Sequence, residues 1–310
     1  MKRLAYIFPG QGSQHAGMGK DLAENFPAAR QVFEEADGAL GFAISEMCFA
    51  GPVEQLQLTE NTQPAILAVS VAALRAMEEE GFPRASYVAG HSLGEYSALV
   101  AAGALSLRVA VRTVRARGRY MQEAVPVGVG AMAAILGAEL NEVVAACKEA
   151  AQGEVCSPAN INSPGQVVIA GHAAAIDRAV ELLKQRGAKR AMKLNVSAPF
   201  HCALMQSAQE KLARDVRNLQ FSNLETPLVT NVEAAPINTG REAQESLVRQ
   251  VTSPVRWLES VEFLIREGVE SFIEVGPGKV LCGLLRQTSR EARCLTVEDR
   301  DSLLAARSVL

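Results

Sequence analysis

The sequence predicts an α/β fold, a mainly parallel, helix-covered sheet that carries a small inserted β-α-β-β-α-β domain. Three observations lead there. Short apolar runs alternate with longer stretches of helix formers, the rhythm of strands joined through crossover helices. A serine flanked by glycines in "VAGHSLGEYSA" (88–98) marks a sharp strand-to-helix turn. Between 128 and 196 the rhythm changes to strand, helix, two strands, helix and strand, and then the α/β alternation resumes.

In chain order, "LAYIF" is a buried strand and "PGQGSQHAGMG" the loop after it. His15 stands where a dinucleotide fingerprint would need its third glycine, so the loop is read as offering backbone N–H groups at the strand's carboxyl end. One helix is expected over 21–37, and a second, long one from "TQPAILAVSVAALRAMEEEG" to Gly81. The strand ending Tyr87-Val88-Ala89 turns at Ser92 into a helix over 95–102, closed by Gly103. A helix with many arginines follows in "LSLRVAVRTVRARGRY". The inserted domain is expected as strand 130–136, helix 139–150, strands 156–162 and 166–170, helix 173–186 and strand 189–195, a ferredoxin-like order. "PLVTNV", "QESLVRQV", "SVEFLIREG" and "SFIEVGPGKVL" then continue the large domain, whose glycine turn in "EVGPGKVL" is read as structural. The expected division is 1–127 with 197–310 for the large catalytic domain and 128–196 for the small one, with a cleft between them as the place for a site.

With 310 residues, 48% of them hydrophobic and 21% charged, the chain can bury an ample core. A net charge of −3 gives no global reason to expect nucleic acid or an anionic membrane as partner. The first apolar run stops at Pro9-Gly10, too short for a signal-peptide core, and no stretch approaches the ~20 apolar residues of a membrane span. Cys48, Cys147, Cys156, Cys202, Cys282 and Cys294 show neither C-x-x-C nor zinc spacing, and are expected to be reduced thiols in a cytoplasmic protein. His15, His91, His172 and His201 are scattered, so no metal site is expected.

The G-x-S-x-G turn holds the Ser92 hydroxyl at its tip, since small neighbours let strand and helix backbones pass closely. A glycine-rich βα turn with an incidental serine is the bland alternative. A serine hydroxyl needs a base to be a nucleophile. His201, in "SAPFHCALM", follows a predicted strand end on the side where Ser92 lies, whereas His91 is locked in the elbow and His172 begins a small-domain helix. At ~100° per residue, Arg108, Arg112, Arg115 and Arg119 form one stripe, a solvated face or a surface for an acidic partner. Arg117 projects about 180° from Arg108, onto the apolar face. A buried guanidinium needs an anion, supplied either by a protein carboxylate or by a ligand. Together with Ser92, it suggests a carbonyl substrate that also carries a carboxylate.

"FPGQGSQ", "GHSLGEYSAL", "RARGRYMQEA", "NINSPGQVVIAG", "SAPFHCALM" and "EVGPGKVL", in this order, resemble the malonyl-CoA:acyl-carrier-protein transacylases of bacterial fatty-acid synthesis over nearly the whole chain. The resemblance implies an α/β-hydrolase-like domain with a ferredoxin-like insertion, and no bound cofactor. It implies that malonyl-CoA donates its acyl group to Ser92, with His201 as base, and that the phosphopantetheine thiol of acyl carrier protein then takes the group. It further implies an oxyanion hole of Gln11 and Leu93 N–H groups, Arg117 on the malonyl carboxylate, and a backbone carbonyl near Gln250 as the partner of His201. Gln63, Met121 and Phe200 would line the pocket, where a phenylalanine leaves less room for a 2-methyl branch. A polyketide carrier as acceptor, a serine esterase and a non-catalytic carrier-binding subunit are the competing readings. An esterase would have no reason to bury Arg117.

Overall fold

A computed structural model describes residues 3–310 apart from Asn195 and Ser197. Strand β1 (Arg3–Phe8) is buried from its second residue onward. The single helix expected over 21–37 is instead two, α1 (Lys20–Asn25) and α2 (Pro27–Leu40). Pro27 has no N–H to continue α1 and holds Phe26 extended (φ −124°, ψ 116°), while at the first position of α2 it costs nothing. Two short helices that periodicity did not reveal follow, α3 (Ile44–Ala50) and α4 (Val53–Leu56). The long helix α5 (Thr59–Glu79) starts earlier than expected and is buried along most of its length.

Strand β2 (Tyr87–Gly90), helix α6 (Gly94–Ala101) and the arginine helix α7 (Leu107–Glu123) complete the first half. Then come β3 (Gly130–Leu136), α8 (Leu140–Ala151), β4 (Cys156–Ser163), β5 (Gln166–His172), α9 (Ala173–Gln185) and β6 (Arg190–Lys193). These follow the expected order, although the last strand ends short of 195, and Asn195 itself lies outside the described residues. The four strands form their own antiparallel sheet, β4-β5-β3-β6, with a separate core of Ile135, Val143, Ile169, Ile176 and Leu183.

After it come α10 (Gln206–Arg217), β7 (Leu228–Val229), β8 (Pro236–Ile237), α11 (Gly240–Gln250), α12 (Trp257–Arg266), β9 (Val269–Val275), α13 (Val280–Thr288), β10 (Arg293–Val297) and α14 (Arg300–Arg307). The large sheet runs β10-β9-β1-β2-β7-β8, parallel except for β8. Helices cover both faces. The α2, α5, α6 and α7 side packs on Tyr6, Phe8 and Val88, and the α12 and α13 side on Ala5, Ile7 and Phe272. The two sheets are joined where β4 meets the 255 segment, with Ile161 N donating to the Val255 carbonyl and Val255 N to that of Ala159, both at 2.8 Å. Among the described residues no helix is long and apolar enough to cross a membrane.

One cysteine expectation is corrected. Cys282 and Cys294 are disulfide-bonded, with Cα atoms 5.5 Å apart, while the other four are free. Helix α13 and strand β10 both lie against β9, so the chain reversal brings together two positions that no spacing rule connects.

Candidate active site

Ser92 sits at the turn from β2 into α6 with φ +52°, in the left-handed region that non-glycine residues seldom occupy. The flanking glycines explain how the turn closes. A Cβ on Gly90 would lie 2.0 Å from the Gly94 carbonyl, and one on Gly94 would lie 2.2 Å from the carbonyl oxygen of Phe8. Side chains from distant segments hold the strained backbone. Asn231 Oδ1 accepts from the Ser92 N–H at 2.7 Å, and Gln250 Nε2 donates to the Ser92 carbonyl at 3.1 Å.

His201 lies between β6 and α10, also at positive φ (+60°), and its Nε2 is 2.8 Å from Ser92 Oγ. Its Nδ1 is 3.0 Å from the Gln250 carbonyl oxygen. A carbonyl can only accept, so Nδ1 carries the proton and Nε2 is left to accept from the serine. Burial, followed by the charge of Arg117, pushes the imidazole down to about 3, so the ring is neutral at ordinary pH. The other histidines are differently engaged. His91 Nε2 is 2.9 Å from Asn162 Oδ1, and His172 Nδ1 accepts from the Val155 N–H.

Arg117 is 1% exposed. It donates through Nη1 to Gln63 Oε1 (2.7 Å), and through Nη2 to Gln250 Oε1 (2.9 Å) and Ser92 Oγ (3.0 Å). Its Nε is buried without a partner, and among the described residues no carboxylate oxygen lies within 4.0 Å of the guanidinium. Burial lowers its pKa, opposed by Tyr96 and Glu95. Gln63 Nε2 turns to Met121 Sδ at 3.9 Å, which fixes the amide with its oxygen toward Arg117.

These residues share a cavity of about 130 Å³, lined by Gln11, Gln63, Ser92, Arg117, Met121 and His201, and by Met132 and Asn160 of the small sheet. Phe200 also faces it. Leu93, just before α6, is 1% exposed and does not line it with its side chain. Gln11 lies on the loop after β1. A wider depression, about 950 Å³, opens at the opposite ends of the strands beside Leu4, Ser271 and Arg293, away from any serine–histidine pair.

Two residues of the site escaped the sequence reading. Asn231 and Glu95 are buried beneath the elbow, joined by the Asn231 N–H to Glu95 Oε2 contact of 2.9 Å. An acidic residue in the first turn of a helix ordinarily complements the helix dipole in solvent. This one is 1% exposed, with Asn231, Ser246 and Gln250 as its hydrogen-bond partners. Burial pushes the Glu95 carboxyl up to about 7, against the hydrogen bonds it accepts.

The acyl transferase domain family matches residues 5–303. The malonyl CoA-acyl carrier protein transacylase of Escherichia coli K12 is 47% identical over 306 residues, 99% of each chain. A crystal structure of an acyl carrier protein S-malonyltransferase from Vibrio cholerae superposes with a TM-score of 0.96 at 48% identity, covering 98% of this chain and 99% of that one. A malonyl-transacylase in complex with a type II polyketide acyl-carrier protein superposes at 0.97 with 47% identity, covering 99% and 100%. The chain therefore belongs to the acyl transferase family, among its malonyl-CoA:acyl-carrier-protein transacylases.

Proposed function

We propose that this enzyme moves a malonyl group from malonyl-CoA to the phosphopantetheine thiol of acyl carrier protein, by way of a malonyl ester on Ser92. The observation that carries the reading is Arg117, a buried guanidinium 3.0 Å from the serine oxygen with no carboxylate of the protein beside it among the described residues. A substrate with both a thioester and a free carboxylate meets both groups at once.

In the first half-reaction Ser92 Oγ attacks the thioester carbonyl while His201 Nε2 takes its proton. The N–H groups of Gln11 and Leu93 hold the developing oxyanion. The C–S bond breaks, and coenzyme A leaves with the proton from His201. In the second, the carrier thiol gives its proton to His201 and attacks the ester, and Ser92 Oγ departs and is reprotonated. The Gln250 carbonyl orients the ring. It stabilises an imidazolium less than a carboxylate would, which is sufficient for thiols of pKa ~8.5. Gln63 steadies Arg117, and Met121 and Phe200 bound the acyl pocket, Phe200 against a 2-methyl branch. The reading needs no bound cofactor and includes a cytoplasmic setting in fatty-acid synthesis.

Intact-mass measurement after mixing with malonyl-CoA tests it. A malonyl adduct that maps to Ser92 and passes to a carrier thiol is expected, and Ser92→Ala should lower transfer by at least ~10³-fold. Rapid release of free malonate would point to an esterase. An adduct on another residue would exclude Ser92. The polyketide carrier bound by the similar transacylase is the second acceptor to assay.

A further inference from the structure

We propose that Glu95 is a positioning residue, which holds the Gln250 carboxamide in the one orientation that serves Arg117, without itself touching substrate. This rests on the reading of Arg117 as the group that receives the malonyl carboxylate.

Gln250 ends α11 and is fully buried. Its Nε2 is surrounded by acceptors, with Ser92 O and Glu95 Oε2 each at 3.1 Å and Asn231 Oδ1 at 3.4 Å. That leaves Oε1 to accept from Arg117 Nη2 at 2.9 Å. If the amide were reversed, its NH₂ would face a guanidinium that has only N–H groups to offer, and its oxygen would face the acceptors. Among the described residues, Glu95 contributes the only carboxylate hydrogen-bonded to the Gln250 amide. Its Oε2 also accepts from Asn231 N, and Ser246 Oγ stands 3.4 Å from Oε1. The first turn of α6, the segment after β7 and the end of α11 therefore meet on one buried carboxyl, behind the serine.

What matters in this arrangement is an acceptor at the right reach. A glutamine at position 95 can place its amide oxygen where Oε2 stands and turn its NH₂ toward Ser246 Oγ. Alanine cannot, and aspartate falls short by a methylene. Without that acceptor, the Gln250 NH₂ keeps only the Ser92 carbonyl at 3.1 Å and Asn231 Oδ1 at 3.4 Å, so the amide is held less firmly and its hydrogen bond to Arg117 weakens. A carboxylate-bearing acyl donor feels that loss, whereas an acetyl donor does not.

The experiment compares kcat/KM for Ser92 acylation by malonyl-CoA with that by acetyl-CoA, in Glu95→Ala, Glu95→Gln and, in parallel, Arg117→Ala. We expect Glu95→Ala to lower the malonyl:acetyl ratio about 10-fold or more, the scale of one hydrogen bond to a charged group, and Glu95→Gln to restore it to within about 3-fold of wild type. A merely structural role reduces both rates by the same factor, so an unchanged ratio in Glu95→Ala overturns the proposal. So does a glutamine variant as impaired as the alanine one, since that would make the charge, and not the reach, decisive. If the alanine variant does not fold, Glu95→Asp carries the same test, and a lowered ratio is again expected. An unchanged ratio in Arg117→Ala overturns the underlying reading, and this proposal with it. A shifted ratio there beside an unshifted one in Glu95→Ala overturns the Glu95 proposal alone.

Discussion

Helix α7 carries five arginines and places them in two different worlds. On the outer face Arg112 Nε donates to the Ala39 carbonyl at 2.6 Å, Arg115 lies 4.1 Å above the Phe42 ring, Arg119 is 4.0 Å from Glu123, and Arg108 is exposed. On the inner face Arg117 has two glutamines and a serine, but no carboxylate among the described residues. Outside, water screens each charge and a substitution costs little. Inside, the charge is desolvated and its Nη2 lies 3.0 Å from Ser92 Oγ. Residue type is shared by all five, so burial on one face of the helix is what sets Arg117 apart; the proposed reading of Arg117 as the substrate-binding arginine rests on that difference.

The largest test of that contrast is Arg117→Ala. Losing two charge-assisted hydrogen bonds at ~1.5–3 kcal/mol each should reduce malonyl transfer on the order of 10²-fold or more. Acetyl transfer should be spared or improved, because an acetyl group has no carboxylate to lose. If kcat/KM for both donors falls equally, Arg117 is structural and the two faces do not differ in kind.

A second test reads the field of Arg117 on its neighbour. His201 is held at about 3 first by burial and then by the Arg117 charge. Removing a nearby positive charge makes the imidazolium less unfavourable, so the pKa should rise in Arg117→Ala, yet stay below the ordinary 6.5 because burial remains. Imidazole ¹⁵N titration in both proteins measures it. In wild type, acylation should show no loss of base near pH 6.5. A midpoint near 7 that disappears in Glu95→Gln would belong to the carboxyl behind the serine, whose pKa burial raises.

The smallest effects belong outside. Arg108→Ala and Arg119→Ala should leave Ser92 acylation within about 2-fold and stability within ~1 kcal/mol. Both half-reactions should be followed separately. A fall confined to transfer onto the carrier would assign the outer stripe to docking, and a fall in acylation would erase the contrast between the faces.

Much of this was legible in the chain. Period and punctuation located most of the strands, the elbow and the strand and helix order of the small sheet, because each depends on local backbone preference and on burial repeating along a few residues. The 180° offset of Arg117 from Arg108 placed it on the inner face for the same reason. Local reading faltered where one residue overrode a long pattern, as Pro27 did between α1 and α2, and where elements were short, as in α3, α4 and the two-residue strand β8; α10, β10 and α14 also went unread.

The sequence by itself determined the turn at Ser92, the apolar setting of Arg117 and the alternation that yields a parallel sheet, since neighbours in the chain dictate each of them. Only the tertiary structure decided that Cys282 would meet Cys294, and that one glutamine would serve His201 with its carbonyl and Arg117 with its side chain. It also decided that Glu95 would be buried behind the serine instead of facing water. Those outcomes join segments as much as 155 residues apart. Their geometry is set by how helices pack on the sheet, and one-dimensional periodicity does not encode that.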